Sequence, residues 1–299
     1  MKSRVGFFKL LQMVFHPAAS IGGKFLRKAL NLIPQDYHVH TIHSCDSQAT
    51  MSEMCRAALA KGIPEIGFSD HFDLIPEDPC YAFFKADAWW QDLERCREEY
   101  AGALRIKAGI EIGEPHRFPE AVSELINNHA WDFIIGSLHW VGDTLVFDQD
   151  YYLRPQQQAY RDYFQELHQV ARLNTVSILG HMDIVKRYGF DHYGRFDPKP
   201  YERELRPLLR SCADSGMALE VNTSTLRRPV KEPSPNTTIL RWFREEGGHW
   251  VTVGSDAHQP EDVGFELEKA IECVRSVGFE TLTGFERLSP YPIPLPAKS

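Results

Sequence analysis

The chain has 299 residues, 43% hydrophobic and 25% charged, with a formal net charge of −8, enough to bury the core of one or two domains. Residues 1–34 hold Lys2, Arg4, Lys9, Lys24, Arg27 and Lys28 and no acid, so the remainder is strongly acidic and argues against a nucleic-acid partner recognised through a broad basic face. No apolar run reaches the roughly 18–20 residues of a membrane span.

Six cysteines lie at positions 45, 55, 80, 96, 212 and 273 without a Cys-x-x-Cys pair. This matches neither a zinc ribbon nor a disulfide framework, so a cytoplasmic location is expected. Within residues 1–34, Phe7, Phe8, Leu11, Val14 and Phe15 fall at helical spacing, and Ile21, Phe25 and Ala29 repeat it after Pro17. A basic amphipathic extension is expected there, with weak membrane-surface contact as one of its readings.

Residues 36–46 open the main body. His38 and His40 stand two apart in a short extended run, and in a strand such residues point to one side. Asp46 follows after a polar turn. A helix is expected over 50–61, stopped by Gly62 and Pro64, then a strand over 65–69 leading into Asp70-His71-Phe72-Asp73. Residues 76–90 read as an aromatic-rich loop whose aromatic group at 81–90 either covers the mouth or packs beneath the barrel, 91–101 as a charged helix, and 104–112 as a strand containing Glu111. A helix over 119–129 precedes a strand over 133–136 that closes with Ser137-Leu138-His139.

A long loop, 142–155, leads to a helix at 156–171 and a strand at 175–179 ending in Gly180-His181-Met182-Asp183. Helix 200–214, strand 217–221, helix 236–246 and strand 250–254 follow, the last running into Ser255-Asp256-Ala257-His258. A final helix is expected over 261–276, then a short apolar segment near 279–282 and, from 289, an irregular proline-rich tail. The expected organisation is an extension over 1–34, a barrel over 35–288 and a tail over 289–299.

Strand and helix alternate about seven times, which means a parallel sheet. His, Asp or Glu follows nearly every strand, all round the chain order. A barrel builds its site from strand C-terminal ends in this way, whereas a doubly wound sheet concentrates it at one switch point. The barrel is the expected fold.

The candidate ligands are His38, His40, Asp46, His71, Glu111, His139, His181, Asp256 and His258. That is more than one zinc takes, and suits two or three divalent ions sharing carboxylates. His16, His116, His129, His168, His192 and His249 fall in helices, loops or before a strand and are given no chemistry. His43 is close to the site but out of phase, and Glu114 is a rival to Glu111.

The stretches DYHVHTIHSCDS, FSDHFD, GIEIGE, IGSLHW, ILGHMD, EVNTSTLR and VGSDAHQPEDVG together resemble the polymerase-and-histidinol-phosphatase (PHP) superfamily of metallohydrolases, across roughly residues 36–285 and in the right order. Within it the chain is most similar to the monofunctional histidinol-phosphatases. The resemblance implies a distorted (β/α)7 barrel with a metal cluster, usually trinuclear, at the mouth formed by the strands' C-terminal ends. It further implies that His38, His40, Glu111 and Asp256 hold one metal and that Glu111 bridges to a second held by His139 and His181. Asp46, His71 and His258 would hold the third. The ions would be zinc, iron or manganese.

The implied function is hydrolysis of a small phosphorylated metabolite, L-histidinol phosphate, by a metal-bridging hydroxide, with Asp256 and Glu111 as catalytic residues. Arg187, Arg227 and Arg154 are candidate phosphate binders, because the guanidinium fork suits phosphate oxygens. Asp148 or Asp150 could meet the histidinol amine. The alternatives are a phosphoesterase acting on another small phosphomonoester or a nucleotide 5′-phosphate, and a membrane-attached, metal-stabilised binding module.

Overall fold

The computed structural model describes residues 33–297; the expected extension over 1–34 lies almost wholly outside the described residues. In chain order the elements are β1 (Asp36–Val39), α1 (Met51–Ala60), β2 (Glu65–Phe68), β3 (His71–Phe72), α2 (Ala86–Glu99), β4 (Arg105–Gly113), α3 (Pro119–Asn128) and β5 (Phe133–Ser137). A small hairpin, β6 (Trp140–Val141) and β7 (Thr144–Leu145), precedes α4 (Gln156–Val170), β8 (Ile178–Leu179), α5 (Val185–Tyr193), α6 (Glu202–Ser215) and β9 (Ala218–Asn222). Then come α7 (Thr237–Glu245), β10 (Val251–Gly254), α8 (Leu267–Ser276), β11 (Thr281–Glu286) and β12 (Ser289–Pro294).

Seven parallel strands run in the order β1-β2-β4-β5-β8-β9-β10, with β3 added beside the far end of β4. The ring closes where Val39 bridges Ala257, His40 N–H donating to the Ala257 carbonyl at 2.9 Å. The expected barrel is therefore the observed one.

Several sequence signals act locally as expected. Thr50 caps α1 and forms a reciprocal capping box with Glu53, which satisfies two of the helix's free N–H groups. Asn236 caps α7 through the N–H groups of Thr238 and Ile239. Gly216 ends α6 in the left-handed region at φ +73°.

The barrel interior is narrow and filled by rings. Phe133 lies flat against Tyr37, centroids 4.9 Å apart, among Ile135, Ile178, Ala218 and Phe285. A Cβ at Gly67 or Gly109 would collide with the Phe133 ring, so these glycines make the room. Strand alternation would turn Tyr37 and His38 to opposite faces. Between Asp36 and Val39, however, three steps of β1 oppose two of β2. This bulge lets Tyr37 join the packed floor while His38 faces the mouth.

Four expectations are corrected. The aromatic loop ends earlier than expected: Trp89 and Trp90 lie on α2, where Trp89 packs against Trp131 at 5.1 Å. Helix α5 was not anticipated, and the long loop 142–155 contains part of the β6–β7 hairpin and a 3-10 turn, Gln149–Leu153. The tail is not irregular, since residues 289–294 pair antiparallel with β11 from Thr281–Pro294 to Glu286–Ser289. This hairpin covers the strands' N-terminal ends, with Phe285 N–H donating to the Tyr37 hydroxyl at 3.3 Å. Finally, Cys45 and Cys80 are joined by a disulfide with Cα atoms 5.3 Å apart, although the spacing suggested none.

Candidate metal centre

The carboxylate of Glu111, on β4 and fully buried, stands at the centre of the mouth. Its Oε2 lies 3.1 Å from His38 Nε2, 3.5 Å from His40 Nε2 and 3.2 Å from His71 Nδ1. Its Oε1 faces the other way, 2.9 Å from His181 Nε2 and 3.6 Å from His139 Nε2. One carboxylate thus spans two groups of imidazoles. The expectation that His38 and His40 converge holds, their rings being 5.0 Å apart.

Asp256 closes the first group, with Oδ1 3.4 Å from His40 Nε2 and 3.9 Å from His38 Nε2. It sits at φ +53°, a left-handed conformation that a non-glycine residue adopts at some cost. Asp46 and His258 form a third group with His71: Asp46 Oδ2 is 2.9 Å from His258 Nε2 and 3.6 Å from His71 Nε2. All nine candidates therefore meet in one place. Glu111 rather than Glu114 is the acid that lies between the two groups of imidazoles. His43 turns away to Asp92 at 3.0 Å. Of the histidines set aside, His116 pairs with Glu166 at 2.9 Å, and His168 bonds Ser211 at 3.0 Å. His129 stacks on Trp90 and His192 on Tyr152.

The electrostatics fit cations. Burial, reinforced by His258 and His71, holds His40 down to about 3, so it is a neutral donor. Burial would lower His38 too, but Glu220, Glu111 and Asp256 together raise it well above the ordinary imidazole range. His139 rises to about 9 against its own burial because Glu111, Glu114 and Asp73 surround it. Burial opposes ionisation of Glu111 and Asp256, yet the imidazoles around them keep both far below the usual carboxylate range.

An unexpected ring of acids holds these side chains. Glu220, on β9, accepts from His38 Nδ1 at 2.7 Å and from the His181 N–H at 2.8 Å. Asp70 takes the Thr41 N–H at 2.6 Å, the Ser44 hydroxyl at 2.8 Å and the Trp89 indole N–H at 2.7 Å, fixing the loop after β1. Glu114 accepts from the N–H groups of His139 and Trp140, and burial raises it to about 7. Asp73 is buried beside His71 and His139 and raised by that burial to about 6. The signal for Glu220 was an acid between Leu219 and Val221 in the otherwise apolar run 217–221, which a buried position tolerates only with partners.

Above the cluster is a cavity of about 310 Å³ whose walls include Arg187, Arg227, Arg228, Phe147 and Tyr188. Arg227 is steadied by the carbonyls of Ser255 and Asp256 at 3.0 and 2.7 Å. Two expectations fail here. Arg154 is not among the cavity walls; it pairs with Asp162 at 3.4 Å and lies over the Tyr151 ring. Asp148 and Asp150 are exposed and line no part of it.

This architecture and constellation match known proteins. The family profile described as the PHP domain covers residues 36–224. A Deinococcus radiodurans protein named "probable histidinol-phosphatase" is 31% identical over 263 residues, spanning 83% of this chain and 95% of its own length. The chain belongs to the PHP family. The Lactococcus lactis histidinol-phosphatase is 30% identical over 254 residues, 84% of this chain and 93% of that protein. A crystal structure of the histidinol phosphate phosphatase from Lactococcus lactis, complexed with zinc, L-histidinol and phosphate, is similar with a TM-score of 0.81 at 28% identity, covering 87% of this chain and 99% of that one. As PHP proteins go, this one shares the fold of that relative over nearly its whole length.

Proposed function

We propose that this PHP protein is a metal-dependent phosphomonoesterase that hydrolyses L-histidinol phosphate to L-histidinol and phosphate. The observation that carries the reading is the near full-length similarity to a zinc-, histidinol- and phosphate-bound relative, joined to nine convergent metal-type donors beneath a cavity lined by arginines.

The donor set fits divalent ions on its own terms. His40 Nε2 is buried with no hydrogen-bond partner although it points into the cluster between Glu111 and Asp256, an arrangement that costs free energy unless a cation accepts the lone pair. His38, His40, Glu111 and Asp256 would hold one ion, Glu111, His139 and His181 a second, and Asp46, His71 and His258 a third. Two or three ions of the zinc, iron or manganese kind, when bound, supply Lewis acidity toward phosphoryl oxygens and lower the pKa of water.

The chain's own groups do the rest. Glu111 and Asp256 hold negative charge at the floor of the cavity, where burial excludes competing water. Arg187 and Arg227 offer guanidinium donors to the phosphoryl oxygens, and their charge there offsets what develops in the transition state. Phe147 and Tyr188, 5.0 Å apart, present ring faces that suit the flat imidazole of the substrate. Among the described residues no helix is long and apolar enough to cross a membrane. The reading carries a cytoplasmic location with it.

The test is phosphate release by metal-loaded protein from L-histidinol phosphate, p-nitrophenyl phosphate and AMP. A kcat/KM above about 10⁴ M⁻¹s⁻¹ on the first alone, abolished by chelation and restored by metal, is expected. Comparable slow rates on all three substrates overturn the substrate assignment.

A further inference from the structure

Four carboxylates line the cavity: Asp46, Glu111, Asp256 and Asp262. The first three each approach imidazole nitrogens of the cluster within 4 Å and are engaged there. Asp262 is not. It ends the 3-10 turn Pro260–Asp262, shortly after His258, and its side chain is 19% exposed. Its Oδ2 lies 3.7 Å from Arg227 Nε and accepts from the Gln259 amide at 3.2 Å. Both contacts use Oδ2, so Oδ1 is the oxygen left for an incoming donor. Asp262 is thus the one cavity carboxylate, among the described residues, that no proposed metal site claims, and it stands beside a proposed phosphate-binding guanidinium.

That juxtaposition matches a particular class of ester. In the phosphate of a 2-amino alcohol, two carbons separate the ester oxygen from an ammonium group. A site reading both ends needs a cation for the phosphoryl group and an anion a short step away. We propose that Asp262 accepts the substrate ammonium, selecting phosphate esters of amino alcohols over those that lack the amine. This rests on L-histidinol phosphate being the substrate. Asp262 does for the amine what Asp148 or Asp150, both outside the cavity, cannot.

A buried or half-buried carboxylate built to meet an ammonium rejects the analogue that lacks it, because the acid is then left without its partner. The test compares kcat/KM of the metal-loaded full-length protein on L-histidinol phosphate and on 3-(imidazol-4-yl)propyl phosphate, the same ester without the amine. The wild type should prefer the amine-bearing ester by about 10- to 100-fold, the span of a hydrogen bond to a charged group. Asp262→Asn should bring that preference to near one, chiefly by raising KM for L-histidinol phosphate, and Asp262→Glu should retain most of it.

If Asp262→Asn lowers both activities alike and the preference survives, Asp262 merely steadies Arg227 and the proposal is wrong. Should the variants fail to fold, inhibition of the wild type decides: L-histidinol must compete more strongly than 3-(imidazol-4-yl)propanol, and equal inhibition overturns the proposal. A wild type fast on both esters alike sinks the Asp262 assignment only. One that hydrolyses neither faster than p-nitrophenyl phosphate sinks the substrate assignment and this inference with it.

Discussion

Glu220→Gln is the substitution that most directly probes how the site is held. The two carboxylate oxygens of Glu220 do separate work: Oε1 takes His38 Nδ1 at 2.7 Å, and Oε2 takes the His181 N–H at 2.8 Å and the Asn222 amide at 3.2 Å. The side chain is about 2% exposed. A glutamine has one acceptor oxygen and one amide donor. If the oxygen stays with His38, the amide meets the His181 N–H donor to donor. If it turns, the amide donates to His38 Nδ1, which forces the ring proton onto Nε2, the atom facing Glu111. In the first case two buried donors face each other without an acceptor, at a cost of about 1–3 kcal/mol. In the turned case the wrong imidazole nitrogen carries the proton, and partners of this kind typically change metal affinity by about 10- to 100-fold. A competition titration of the metal-free variant against a chromophoric chelator reads the affinity, and urea unfolding reads the stability. Wild-type values of both would refute the reasoning. Gly254→Ala offers an independent route to the same defect, since a Cβ there would strike Glu220 Oε1 and His38 Cβ.

The arginines should separate cleanly. Arg227→Ala should lower kcat/KM by about 10²- to 10³-fold, as loss of one charge-stabilising donor does. Arg154→Ala, which breaks a partly exposed pair with Asp162, should leave kcat/KM within about twofold and stability within about 1 kcal/mol; a large loss there would return Arg154 to the site. Glu114 predicts a pH effect in metal-free protein. Burial raises its pKa from 4.5 to about 7, so the unfolded chain gives up this proton at lower pH than the folded one. The folded state accordingly loses stability from this group as pH rises between those values, by on the order of 3 kcal/mol in all. Glu114→Gln removes the titration. Its stability relative to wild type should climb from pH 4.5 to 7 and level off above; a gap independent of pH would show that Glu114 is already ionised there.

The site was more legible in the sequence than its supports. His38, His40, Glu111, His139, His181, Asp256 and His258 could be read because each sits where an apolar strand ends, and a parallel barrel brings those ends together. What alternation could not convey was the bulge in β1, which depends on the register against β2 rather than on β1 alone. Arg154 looked like a phosphate binder because its guanidinium lies in the long loop before a helix, yet a place in the sequence says nothing about direction, and Asp162 eight residues on captures it. The proline-rich β12 carried no strand signal because prolines cannot donate to a ladder. An edge strand tolerates them at positions 290, 292 and 294, where the partner strand needs no N–H from them.

Asp36, Asp70, Glu114 and Glu220 show why the hidden supports are acids. Each proposed ligand loop must be fixed by something that accepts hydrogen bonds from backbone N–H groups or ring nitrogens, and buried carboxylates accept several at once. Asp36 takes the Ser255 N–H at 2.9 Å, its hydroxyl at 2.6 Å and the Gly264 N–H at 2.7 Å, tying β1 to the loop that presents Asp256 and His258. Such acids add negative charge to a mouth already holding Glu111, Asp256 and Asp46. In the metal-free chain that excess is met by protons: Glu111, Glu220 and neighbouring acids raise His38, His71 and His139 despite their burial. Cations that bind the imidazoles must displace those protons, so uptake of metal releases acid and strengthens with pH. The acidic surroundings that would repel a phosphate ester are therefore the same ones that gather the ions able to attract it.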